Sequence, residues 1–398
     1  MHMKSLFAAM CLLALPCQPL LAQQATPAVQ SPPPVQRIDV GGHKLRYEVA
    51  GPATISSAVP TVVFDSGMGD GLRAWRGIFP EVARFARVVA YDRAGLGQSE
   101  PGPEPRSFTQ AATELHTLLH RAGIQPPYVL VGHSLGGAHI RAFAHLYKDE
   151  VAGLVFVDPF TESIFKAMSP EENANAAAEQ RAMSSQGPPA ALAEFEFAFG
   201  EVQHGFPQLA SYGSPPDVPM MLLLAGRGRD PHEEAAALQQ FETLMADATE
   251  GGVVLTPDSA HYIQRDDPAL VISAIRKVVF PSAHLALMRN IREKGVDAAI
   301  ADYRQRRLWY PADAFRERTL NELGYEQLQA KHTQEAVSLF KLNVEMYPDS
   351  SNVYDSLGEA HMENGERDAA IASYRKSLAL DPGNANATEL LEKLEKAP

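Results

Sequence analysis

"YVLVGHSLGGAHIRAF", residues 128–143, decides the frame of this chain. It opens with four apolar, β-favouring residues, the length of a buried strand. A Gly-His-Ser-Leu-Gly turn follows at 132–136, and a helical pattern starts at Gly136. Glycine-x-serine-x-glycine alone arises often by chance. Between a strand and a helix it has a physical meaning. So tight a turn forces the serine into a strained conformation that exposes its hydroxyl, and the glycines omit Cβ atoms that would collide. The helix N-terminus adds backbone donors beside the hydroxyl. Ser134 is the candidate nucleophile.

A serine hydroxyl needs a base, and the base needs an orienting acid. For a strand-turn-helix nucleophile the chain order is serine, acid, histidine. Downstream, "LLLAGRGRDP" places Asp230 just past a strand pattern, and "LTPDSAHYIQRDDP" places His261 just past the last one. Asp230 is the favoured acid. Asp158, which ends "GLVFVD", is the alternative. His133 should point away from the reacting group. His139 and His145 read as packing or surface residues of the following helix, and Asp92 and Arg93 as a turn fixed by ion pairing. The histidines show no metal-ligand spacing, so no metal and no cofactor are expected.

Outward from the elbow, "QRIDVGGHKLRYEVAG" reads as a hairpin turning at Gly41-Gly42. Short apolar runs at 61–65, 87–92, 128–132, 153–158, 219–226 and 252–258 alternate with helical stretches. That rhythm predicts an α/β fold with a doubly wound, mostly parallel sheet covered by helices on both faces. From about 160 to 217 no strand appears. Phe195, Phe197, Phe199 and Phe206 lie there, and the stretch is expected to form a helical lid over an apolar acyl or leaving group.

After Pro281 the pattern is purely helical. Gly324 aligns with Gly358, Ala336 with Ala370, Phe340 with Tyr374 and Pro348 with Pro382, each 34 residues apart. This period resembles the tetratricopeptide repeat. "DAAIADYR" at 297–304 returns as "DAAIASYR" at 368–375, so the array should begin near His284 with a degenerate unit. Leu323, Phe340, Leu357, Tyr374 and Leu378 are its expected seam, and "NATELLEKLEKA" its solvating cap helix.

Residues 37–281 resemble the α/β-hydrolase fold. "YDRAGLGQSE" at 91–100, "GHSLGG" and "SAHYIQRDDPALV" carry the resemblance, in the proper order. Many relatives carry His-Gly after the third strand, where this chain has Ser66-Gly67. An oxyanion hole is backbone work, so the resemblance implies the amides of Met68 and Leu135, with Gly69 the neighbour that could replace Met68. It implies a serine hydrolase, esterase-like, cleaving an ester or related acyl bond through Ser134, Asp230 and His261. An acyltransferase or aminopeptidase of the same fold is the alternative. A different class is a repeat-based protein-interaction module with the hydrolase domain as scaffold.

The N-terminus, with Lys4 and "LFAAMCLLAL", reads as a signal peptide over 1–22, followed by a Pro-rich linker over 23–36. Cys11 and Cys17 both lie inside it, so the mature chain would be exported, periplasmic or secreted, without thiols and without a membrane span. Over 398 residues, 35 Lys and Arg face 48 Asp and Glu, a net charge of −13. Such a balance disfavours nucleic acid. The expected partners are a small, apolar acyl substrate and, for the repeats, a protein or a second copy of the chain.

Overall fold

The eight apolar or alternating runs become eight strands in one sheet, ordered β1-β2-β4-β3-β5-β6-β7-β8. They are β1 Gln36–Asp39, β2 Lys44–Ala50, β3 Thr61–Asp65, β4 Val88–Tyr91, β5 Tyr128–His133, β6 Val151–Val157, β7 Met220–Ala225 and β8 Gly251–Thr256. This computed structural model describes residues 36–52, 59–161, 163, 168–200, 205–246, 251–308, 310 and 314–396. The signal peptide and nearly all of the linker expected over 1–36 lie outside them.

β1 and β2 form the antiparallel hairpin, and β2 joins β4 antiparallel; the other neighbours are parallel. At the hairpin turn the Asp39 carboxylate accepts the amides of Gly41 and Gly42. In the central strands alternate residues serve opposite layers. Val63, Val89, Leu130, Leu154 and Leu222 pack with the helices Phe108–Arg121 and Gly136–Leu146. Val62, Val88, Val129, Val155 and Leu223 pack with the helix Pro268–Val279. Both faces are dry, which is why these strands read as continuous apolar runs.

The interval between β6 and β7 holds helices Pro170–Ser185, Pro189–Phe199 and Gly205–Ser211. They rise at the C-terminal ends of the strands, where open parallel sheets bind ligands.

Helical pairs fill the C-terminal part: Ala283–Lys294 with Val296–Arg307, Glu317–Gln329 with Thr333–Met346, and Ser351–Glu363 with Arg367–Leu380, closed by Ala385–Lys396. The repeat landmarks have a steric cause. A Cβ on Gly324 would lie 2.5 Å from the Phe340 ring, and one on Gly358 would lie 2.6 Å from the Tyr374 ring. Each glycine thus lets the second helix of its pair close on the first. Leu323, Phe340, Leu357 and Tyr374 are buried, while Leu378 is half-buried. Tyr310 from the array packs edge-on against Phe280, ring centroids 4.9 Å apart. Among the described residues no helix is long and apolar enough to cross a membrane.

Candidate active site

Ser134 follows β5 directly, with φ 51°. That left-handed conformation is costly for a side-chain residue and clusters at functional sites. The turn closes tightly around it. A Cβ on Gly132 would meet the Gly136 carbonyl oxygen at 2.5 Å, and one on Gly136 would meet that of Asp65 at 2.4 Å. The Ser134 carbonyl accepts the amides of Gly137 and Phe160. Its hydroxyl is left facing a cavity of about 450 Å³, without a hydrogen bond among the described residues.

His261 opens onto the same cavity. Its Nδ1 lies 2.7 Å from Oδ2 of Asp158, which is buried at the end of β6. The other oxygen of Asp158 accepts the Ala225 amide at 2.9 Å and Arg229 at 2.6 Å. Asp158 therefore cannot swing away without abandoning three donors. It too has positive φ, 42°.

Asp230, the acid favoured from sequence, is elsewhere. It is exposed and caps the helix Pro231–Leu244, its Oδ1 accepting the His232 amide at 2.7 Å. A short carboxylate that satisfies an orphan amide in the first turn is a common helix start. Both aspartates follow a parallel strand in the right chain order, so spacing did not separate them. The pairing to His261 does, and it assigns that position to Asp158.

His133 does point away from Ser134, its Nε2 bonded to the His261 backbone oxygen at 2.8 Å. Burial, reinforced by the neighbouring His261, pushes its pKa down to about 3. It is a neutral strut beneath the loop that carries His261. His139 is buried, with Nδ1 3.1 Å from Asp65, and exposed His145 meets the Tyr212 carbonyl oxygen.

The loop after β3 supplies the amides of Met68 and Gly69, and it is gripped from behind. Arg93, fully buried, donates to the carbonyls of Ser66 and Gly67, each at 2.7 Å. In a trans peptide the C=O and the following N–H point opposite ways. With the Gly67 carbonyl turned to Arg93, the Met68 amide faces away from it. The Gly69 amide is already taken, donating to Oε2 of Glu194 at 3.0 Å. Met68 and Leu135 amides have no acceptor among the described residues, so they are the free pair beside Ser134.

Glu194 comes from the helix Pro189–Phe199 and also receives Arg93 at 2.6 and 2.9 Å. Asp65 completes the buried cluster, paired with Arg93 at 2.9 Å and His139 at 3.1 Å. Burial alone would push the Asp65 carboxyl up, yet His139 and Arg93 outweigh it and hold it below the ordinary range. Arg93 therefore does more than fix the "YDRAG" turn. Asp92 does fix it, accepting the amides of Leu72 and Gln98. Of the two acids within "ALAEFEFAFG", Glu196 pairs with Arg181 at the surface, while Glu194 is buried, and an acid buried among phenylalanines needs a buried cation.

Of the four phenylalanines of the stretch expected to form a lid, Phe199 lines the cavity together with Phe160. Phe195 and Phe197 are buried in the packing beneath, and Phe206 stacks on Phe160 with ring centroids 5.5 Å apart.

Residues 60–199 match the α/β-hydrolase fold family, and residues 351–384 match the tetratricopeptide repeat. Among curated proteins, the Probable transporter efuK of Hormonema carpetanum is 35% identical over 135 residues, 33% of this chain and 19% of that protein. The Uncharacterized protein YqjL of Bacillus subtilis is 28% identical over 223 residues, 55% of this chain and 83% of that one. A solved thermophilic esterase from Thermogutta terrifontis is similar at 21% identity and TM-score 0.46, over 61% of this chain and 97% of that one. The chain thus spans less than a fifth of the first of these relatives and most of the second. The sheet order, the elbow and the family match over residues 60–199 give this part of the chain the α/β-hydrolase fold, and the repeat pairs with the match over residues 351–384 give it a C-terminal tetratricopeptide array.

Proposed function

We propose that this protein is a serine hydrolase cleaving a carboxylic ester or related acyl bond, with Ser134, His261 and Asp158 as its triad. One observation carries the reading. A buried carboxylate holds the ring of His261 in the same cavity onto which a strained Ser134 presents its hydroxyl. Ser134 Oγ attacks the acyl carbon while Nε2 of His261 takes its proton. Asp158 keeps the remaining proton on Nδ1 and stabilises the imidazolium. The Met68 and Leu135 amides receive the developing oxyanion. On collapse, His261 returns the proton to the leaving oxygen, and water releases the acyl-enzyme by the same steps in reverse. The unformed Ser134–His261 hydrogen bond accords with a site whose contacts tighten on substrate.

Met68, Leu135, Phe160, Ala191 and Phe199 give the cavity apolar walls, with Gln180 and Ser184 at one side. That lining favours a compact acyl group. A screen of the purified protein against short- and medium-chain esters, thioesters and aminoacyl amides tests the class. Turnover of esters is expected, and activity confined to aminoacyl amides would move the reading to an aminopeptidase. Export rests on the residue pattern of 1–22, and sequencing the mature N-terminus tests it, with Gln23 the expected start and an intact Met1 the contrary result. The repeat array is read as a protein-contact surface, since no candidate site residue comes from it.

A further inference from the structure

A second cluster lies at the opposite edge of the sheet. His116 and His120 sit four residues apart on the helix Phe108–Arg121, so their side chains share a face. Glu150, just before β6, reaches both. Its Oε1 is 3.1 Å from Nε2 of His116, and its Oε2 is 3.2 Å from Nε2 of His120. The three ligand atoms all lie within 4.8 Å of one another. No metal spacing was legible in the sequence because the carboxylate arrives 30 residues after His120.

We propose that His116, His120 and Glu150 bind a divalent transition-metal ion of the zinc class. The donor set is two imidazoles and a carboxylate, which suits such ions and leaves a fourth corner for water. Its spacing suits them too. Ligand atoms about 2.0–2.1 Å from a tetrahedral ion are about 3.3–3.4 Å apart, close to the two contacts observed. The rings are held in place. His116 stacks flat on Tyr147, centroids 3.7 Å apart and planes 6° from parallel, and His120 lies 4.2 Å from His116. Glu150 has no lysine or arginine partner among the described residues. An ion here would tie the helix to the start of β6. The site is remote from the proposed chemistry, because the seven residues of β6 separate Glu150 from Asp158, roughly 25 Å at about 3.3 Å per residue.

The test is calorimetric titration of zinc chloride into the untagged full chain at pH 7.5, alongside His116→Ala, His120→Ala and Glu150→Gln. One saturable site is expected, weakened at least about tenfold in each variant. Cobalt(II) added to the unaltered protein should show the visible bands of a four-coordinate ion and be displaced by zinc. Absence of a saturable site, or an isotherm unchanged in any of the three variants, overturns the proposal. Should a variant fail to fold, the cobalt spectrum of the unaltered chain decides alone, and an octahedral, aqueous-type spectrum overturns it. Failure here leaves Ser134 chemistry untouched, since a serine-directed probe reads that separately.

Discussion

The carboxylate of Asp158 and the imidazole of His261 meet at 2.7 Å although 103 residues separate them in the chain. Asp158→Asn keeps the shape but offers a donor where Nδ1–H needs an acceptor. Turnover should fall by about 10⁴ through the wrong tautomer. Asp230→Asn removes charge from an exposed helix cap and should leave turnover within about threefold, since the change costs a cap only tenths of a kcal/mol. Steady-state kinetics on the two variants decides between the acids, and a larger loss for Asp230→Asn would refute the assignment.

Glu194 ties the helix Pro189–Phe199 to the loop after β3, the proposed oxyanion loop, through the Gly69 amide and Arg93. Glu194→Gln places an amide group beside the guanidinium and loosens the loop. One oxyanion donor is worth about 10²–10³ in kcat, so a displaced one should cost at least about tenfold, with KM little changed. A shift confined to KM would show that Glu194 shapes the cavity and not the donor.

His133 gives a pH dependence of stability. Its folded pKa, about 3, lies below the ordinary 6.5. Between those values the unfolded chain binds a proton that the folded chain refuses, so stability is full above about pH 6.5 and falls as pH drops toward 3. From pH 7.5 to 5.0 the loss should be about 2 kcal/mol, at about 1.4 kcal/mol per pH unit below 6.5. Urea unfolding of the unaltered protein and His133→Gln at both values checks it. Equal pH dependence in the two proteins would exclude His133 as the source.

The sheet was legible because strands buried on both faces are continuous apolar runs, and "TVVFD" and "YVLVG" fall on β3 and β5. The elbow was legible because Gly132 and Gly136 are demanded by backbone contact, which leaves a local signature. The repeats were legible for the same reason, Gly324 and Gly358 each lying against a ring 16 residues on. The carboxylate partner of His261 was not, because two aspartates satisfied one spacing and only the fold brings Asp158 to His261. The Arg93–Glu194 pairing was beyond pattern reading, since its members stand 101 positions apart and no local period links them. The His116–His120–Glu150 cluster was hidden the same way. Two histidines on one helix face are unremarkable until a carboxylate from another element reaches them.

The central claim is that Ser134 is an activated nucleophile, and covalent labelling tests it most directly. The full chain is treated with a fluorophosphonate probe and digested, and the adduct is located by mass spectrometry. The account predicts one phosphonylated residue, Ser134, with labelling abolished in Ser134→Ala and slowed by orders of magnitude in Asp158→Asn, while circular dichroism shows both variants folded. An unlabelled Ser134 in folded protein, or labelling that persists unchanged in Ser134→Ala, would contradict it.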